Sequence, residues 1–242
     1  MKYLPTPGAG RIIHFNRILS TREIMTFQPN GNLVDQVTHY ISEKIIRNEF
    51  KPGTRIYDSK LAEEMGISRT PIREAFRILE RNHLVELIPR RGVVVTEISE
   101  AQIEWFYDIF EQLYALVALR AAENHTVADI EAIEQALSNM ERCVKNRDTI
   151  GYYDYIFKFA AAGMKAAGNP LLESMIKDLW PSNRRIQFAS LQQREDDLKE
   201  NVKLFQRVAE YVIKRNGEMA EMVIREYAQT EKRFAKKLVN TQ

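Results

Sequence analysis

Four arginines, Arg69, Arg73, Arg77 and Arg81, recur at every fourth position of one stretch. A planar guanidinium is well shaped for bidentate contact with phosphate oxygens or with the O6/N7 edge of guanine. The stretch is Leu61 to Arg81, LAEEMGISRTPIREAFRILER. Leu61, Ala62 and Met65 form a short apolar stripe at helical spacing, which Gly66 stops, and Ile67 anchors the turn inward. Ser68 or Thr70 offers a hydroxyl to cap the next helix. Pro71 is tolerated because amides of the first turn have no partner within the helix. Ile72, Ala75, Phe76 and Leu79 then make a buried face beside the arginine ridge. The pattern predicts two helices and a tight turn, the second helix entering a DNA groove. Arg69, Thr70 and Arg73 are foremost, since a helix N-terminus itself attracts phosphate.

Other elements must hold that helix. Residues 33 to 48 read as a helix with Val34, Val37, Ile41, Ile45 and Ile46 on one face, ended by Pro52 and Gly53; its expected role is scaffolding. Leu84 to Glu97, LVELIPRRGVVVTE, alternates and ends in a β-branched run, which predicts a hairpin. Its tip carries Arg90 and Arg91 beside Gly92, so the backbone can approach a narrow groove while cations follow the phosphates.

Three segments, PGTRI at Pro52 to Ile56, LAEEMGISRTPIREAFRIL at Leu61 to Leu79 and RRGVVV at Arg90 to Val95, resemble the winged helix-turn-helix head of the GntR family of bacterial transcription regulators. The resemblance implies that Ser68, Arg69, Thr70, Pro71 and Arg73 form the DNA-facing start of the recognition helix. It also implies Ser59 at the start of the preceding helix and Arg91 with Gly92 at the wing tip.

Bulk properties constrain the rest. With 35 Lys and Arg against 33 Asp and Glu, net charge +2, a nucleic-acid footprint must be a local patch rather than a global field. Cys143 is the single cysteine, so no intrachain disulfide or cysteine metal cluster forms, which suits a reducing cytoplasm. No apolar run of about 18 residues is present to span a bilayer. Pro5, Pro7, Gly8, Gly10 and Arg11 interrupt the N-terminus, leaving no signal-type apolar region. Residues 1–32 read as a mildly basic extension, either loosely docked or a DNA-touching arm.

From Ser99 to the end the periodicity is helical. Ser99 caps a helix to about residue 123, followed by helices at about 127–147 and 149–166, a turn at Gly168, Asn169 and Pro170, and a helix bent or broken at Pro181. Two last helices, about 196–214 and 217–238, meet at Asn216 and Gly217. The fold class is mainly α: a winged helix-turn-helix over residues 33–98 and an all-helical bundle over 99–238. Through the AAGNPLL turn at Ala166 to Leu172 and the RNGEMAEMVIREY run at Arg215 to Tyr227, the bundle resembles the FCD, or FadR-like, subfamily of the GntR family. That resemblance implies a homodimer with a small-molecule effector site.

The departures from the subfamily are informative. Its members commonly hold a divalent metal through an acidic residue or asparagine and three histidines; the matching positions here are Ile156, Ala160, Phe205 and Tyr227. Since the histidines are His14, His39, His83 and His125, a three-histidine site in the bundle is excluded, and no metal or cofactor is expected. Phe110 stands where relatives often carry an arginine for an organic acid. The expected effector pocket is therefore dry, lined by Phe110, Tyr114, Ile156, Ala160, Phe205 and Tyr227, with Arg184 or Arg185 as polar contacts. Either it takes an apolar ligand, or side chains fill it.

No enzyme is expected. Glu195, Asp196 and Asp197 sit at a helix start, where carboxylates offset the macrodipole, and no phosphate-binding glycine loop or G-x-S-x-G element occurs. The expectation is a transcription regulator binding double-stranded operator DNA, a pseudo-palindrome, as a homodimer, with no membrane partner. Two rivals stand beside it: a helical interaction module with a vestigial head, and a metal-dependent organic-acid sensor.

Overall fold

The computed structural model describes residues 32–191 and 198–239, so the extension before Asn32 and the Glu195 to Asp197 cluster lie outside the described residues. Within them the order is α1 (Leu33–Ile46), β1 (Arg55–Ile56), α2 (Asp58–Met65), α3 (Arg69–Arg81), β2 (Val85–Ile88), β3 (Gly92–Val95), α4 (Glu100–Asn124), α5 (Val127–Lys145), α6 (Thr149–Ala167), α7 (Pro170–Leu191), α8 (Leu198–Ile213) and α9 (Gly217–Val239).

The head closes around α3. Ile72 and Leu79 have no exposed surface and Phe76 retains only a trace, packed with Val37, Ile41, Ile45, Leu61 and Met65 from α1 and α2. At about 1.5–3 kcal/mol for each large apolar side chain buried, this face fixes the helix about its own axis. The wing is the expected hairpin, but it belongs to a three-stranded antiparallel sheet in the order β1-β3-β2. Arg55 lies opposite Val94 and Ile56 opposite Val93. Two residues of β1 are too few for periodicity to reveal.

The bundle helices start and stop on local signals. Ser99 with Gln102, and Thr126 with Asp129, form reciprocal capping boxes at the starts of α4 and α5. Gly168, φ +63°, ends α6 in the left-handed conformation that glycine adopts without a steric penalty. Glu104 pairs with Lys232 and Lys236, and Glu111 with Arg225 at 3.0 Å, so α4 and α9 run antiparallel.

Three features differ from expectation, one being that α5 ends at Lys145 rather than about residue 147, where Arg147 takes φ +55°. The first helix stops at Ile46 rather than residue 48, because Asn48 takes φ +59° in the turn that follows. Nor is α7 broken at Pro181: the helix runs through it. One helix therefore spans from the Asn169 turn to the head.

That span fixes the head on the bundle. Ile46 of α1 packs into the bundle core. Around it, Arg184 Nη1 donates to Glu43 Oε1 at 2.6 Å, Arg47 Nε donates to Glu43 Oε2 at 3.2 Å, and Ser182 Oγ donates to the Asn82 carbonyl at 2.8 Å. Arg185 donates to Thr96 Oγ1 at 2.8 Å and to the Thr96 carbonyl at 2.5 Å; burial pushes its pKa down to about 10. Removing Arg184 would leave a buried carboxylate with a single cation. Arg184→Ala is expected to cost roughly 1–3 kcal/mol in urea unfolding. Arg47→Ala, at a side chain 42% exposed, should cost less.

Candidate nucleic-acid interface and bundle cavity

The turn before α3 forms as its residue types dictate. Gly66 closes α2 at φ +66°, its amide directed at the carbonyls of Ala62 and Glu63, and Ser68 takes the extended N-cap conformation. The Ser68 hydroxyl makes no capping bond, contrary to expectation, and stays exposed with Arg69 and Thr70. Pro71, expected to face DNA, is instead buried with Ile72. Its ring lies on the apolar side of the first turn, where it stiffens the helix start without presenting a contact.

Arg73 is held as well as exposed. Its Nε donates to Asp58 Oδ2 at 2.7 Å while the side chain stays 65% exposed. One of five guanidinium N–H groups is thus committed, and both terminal nitrogens remain. The Arg73 hydrogen bond, with the charges of Arg73 and Arg69, holds the Asp58 carboxyl below the usual aspartate range. Ser59, next in α2, is half-buried. The regular arginine spacing does not make one straight ridge. At 3.6 residues per turn each step of four advances about 40°, so Arg81 points about 120° away from Arg69. Accordingly, Arg77 and Arg81 border a shallow groove with Val34, away from Asp58.

In the wing, Arg90 and Gly92 both have positive φ, +65° and +83°, and the Arg91 amide donates to the Ile88 carbonyl at 3.0 Å. Arg90, Arg91 and Gly92 are exposed. The structure adds Arg55. Its Nε and Nη2 lie 3.4 Å from where a Cβ on Gly92 would stand, and its guanidinium carbon sits 4.8 Å from the Tyr57 ring centre. No periodicity marks Arg55; it is found only from the pairing of β1 with β3.

In the bundle, Phe110, Tyr114, Ile156, Ala160, Phe205 and Tyr227 meet around one cavity of about 50 Å³, walled otherwise by Phe157, Phe159, small and aliphatic residues and Asn183. This volume holds a few waters at most. Phe110 stacks on Tyr114 with ring centres 4.3 Å apart, and Phe205 meets Phe159 at 5.1 Å and Tyr227 at 4.9 Å. The positions where the subfamily holds its metal present two aliphatic side chains, a phenyl ring and a phenol, a donor set that does not fit a divalent ion. Among the described residues no three His, Cys, Asp or Glu side chains come together as ligands.

Arg184 and Arg185, expected as polar contacts here, are not in the wall: α7 turns them toward the head. The polar groups at the cavity are others. Trp180 Nε1 donates to the Tyr114 hydroxyl at 2.9 Å, Gln187 Nε2 donates to the Tyr227 hydroxyl at 3.0 Å, and the buried Oδ1 of Asn183 has no hydrogen-bond partner among the described residues. Burial pushes the Tyr114 phenol well above its ordinary pKa, so it stays neutral.

The Asp58–Arg73 pair generates a pH dependence of stability. The carboxyl pKa is lowered by folding, so the unfolded chain binds more protons as pH falls below the ordinary aspartate value. The stabilisation is complete above that value and is lost as pH falls through the depressed one. Urea unfolding at pH 5 and pH 3 should show a smaller loss in Asp58→Asn than in the wild-type chain; equal losses would break the assignment.

Comparison with known proteins agrees with this arrangement. The pattern described as "Bacterial regulatory proteins, gntR family" matches residues 33–95, and that of the FCD domain matches residues 106–230. The uncharacterized HTH-type transcriptional regulator YdhC of Bacillus subtilis (strain 168) is 30% identical over 111 residues, 46% of this chain and 50% of that protein. The HTH-type transcriptional regulator McbR of Escherichia coli (strain K12) is 25% identical over 174 residues, 72% of each chain. The solved structure of E. coli McbR/YncC superimposes with a TM-score of 0.75 at 21% identity, covering 86% of this chain and 99% of that one. No described helix is long and apolar enough to cross a membrane. With a winged head on the helical bundle α4 to α9 and both patterns matched in order, the chain belongs to the GntR family of bacterial transcription regulators, in the FCD-domain group, and is a DNA-binding regulator rather than an enzyme.

Proposed function

We propose that the chain acts as a homodimer on a pseudo-palindromic operator, with residues 33–98 reading DNA and residues 99–238 providing dimerisation and an effector pocket. The observation that carries this reading is the exposure of Ser68, Arg69, Thr70 and Arg73 at the start of a helix whose opposite face is fully buried. Ser59 and the wing residues Arg91 and Gly92 complete the contact set; Pro71 serves as a stiffener. Two heads about a twofold axis would place their recognition helices in successive major grooves, one helical turn apart. Outward apolar side chains support pairing: Trp105 and Ile109 on α4, Leu171 and Met175 on α7, each at least half exposed in the single chain. The lone thiol suits work in the cytoplasm, where operator DNA lies.

The effector reading rests on the buried Asn183 Oδ1, which has no hydrogen-bond partner among the described residues, in a mostly apolar wall shared with the Tyr114 and Tyr227 rings. A ligand for this site is small, mostly apolar, and carries one hydrogen-bond donor. Anything larger than a few atoms enters only if the bundle expands.

The test is selection of duplexes from a random-sequence library by the wild-type chain, followed by titration of variants. Arg69→Ala and Arg73→Ala should each cost roughly 1–3 kcal/mol of binding. Unchanged affinity in both would overturn the contact assignment. Native mass spectrometry of protein taken directly from cells should show two chains; a monomer at micromolar concentration would overturn the pairing.

A further inference from the structure

We propose that Arg55, Tyr57 and Lys60 form a clamp for the DNA phosphate strand that runs between the recognition helix and the wing. The inference rests on the reading above, in which α3 occupies a major groove and the wing the adjoining minor groove. One sugar-phosphate strand separates two adjoining grooves, so the protein surface that joins α3 to the wing faces phosphates and no base edges.

Residues 55–60 are that join. At one end Arg55 pairs across the sheet with Val94 and lies over Gly92; at the other, Asp58 holds Arg73. Between them the Tyr57 ring is 43% exposed and draws in two cations, the Arg55 guanidinium at 4.8 Å and the Lys60 ammonium at 5.4 Å from its centre. Among the described residues neither cation has a carboxylate partner, and the nearby Asp58 carboxylate is engaged by Arg73. A salt-bridged cation offers phosphate fewer free donors and a partly neutralised charge; these two keep all of both. The aromatic face also orders both side chains in advance, which lowers the entropy lost when phosphate binds. The chemistry recognised is a phosphodiester anion, independent of base sequence.

The experiment uses the full chain and a duplex selected by it from the random library. Affinity is measured across a salt series for wild type, Arg55→Gln/Lys60→Gln, Tyr57→Phe and Arg69→Ala. Each phosphate contact contributes about 0.9 to the slope of log affinity against log salt, so the double variant should lose roughly two units. Its ranking of single-base-pair variants of the duplex should be unchanged, and Tyr57→Phe should keep most of the slope. A double variant with the wild-type slope would overturn the clamp. If Arg69→Ala still weakens binding in that case, the DNA reading survives and the clamp alone falls; a wild-type chain that selects no duplex ends both. All three clamp side chains are exposed, so an unchanged urea midpoint is expected; Lys60→Gln alone, losing about one unit, provides the second measurement of the slope.

Discussion

A carboxylate taken out of water must be paired, and Glu43 is paired across a boundary between two hydrophobic cores. Its oxygens accept from Arg47 within the head and from Arg184 of the bundle, while Arg185 grips Thr96 a short distance away. Apolar contact alone would let the head roll on the bundle, since hydrophobic attraction has no direction. The directed bonds remove that freedom. A head held at one angle can present α3 and the wing to a fixed site spacing; a rolling one cannot.

Most of the head was legible in the sequence because its signals are local. Gly66, Ser68 and the Ile72, Ala75, Phe76, Leu79 spacing define α3 without reference to anything distant, and Gly92 marks the wing turn. The contacts that were not legible share a cause: each depends on a partner elsewhere in the chain. Arg55 acquired its meaning from Gly92, Arg73 from Asp58, and Arg184 from Glu43, 141 positions away. The burial of Pro71 was not legible for a different reason. Membership in a motif says that a residue is needed there, and a buried ring that sets backbone angle meets that need as well as a surface contact does.

Aromatic packing fills the bundle interior at the positions where the subfamily resemblance would put metal ligands. A divalent ion gathers helices through directional bonds; here aromatic rings do so through area and ring geometry, each well-placed pair adding about 0.5–1.5 kcal/mol beyond its burial. That Ile156, Ala160, Phe205 and Tyr227 are a poor donor set for a divalent ion follows from their residue types alone. The polar side of the cavity was not readable: Trp180, Asn183 and Gln187 lie on a helix whose proline suggested a break.

That unbroken helix has a thermodynamic consequence. Over residues 180–187, α7 alternates between obligations: Trp180, Asn183 and Gln187 serve the Tyr114 and Tyr227 side, Ser182, Arg184 and Arg185 the Asn82, Glu43 and Thr96 side. A rigid rod anchored to two bodies cannot shift its seat in one without working against the other. On the reading proposed above, in which a ligand in the bundle shifts the head's affinity for a duplex, linkage requires the duplex to shift the affinity for that ligand by the same factor.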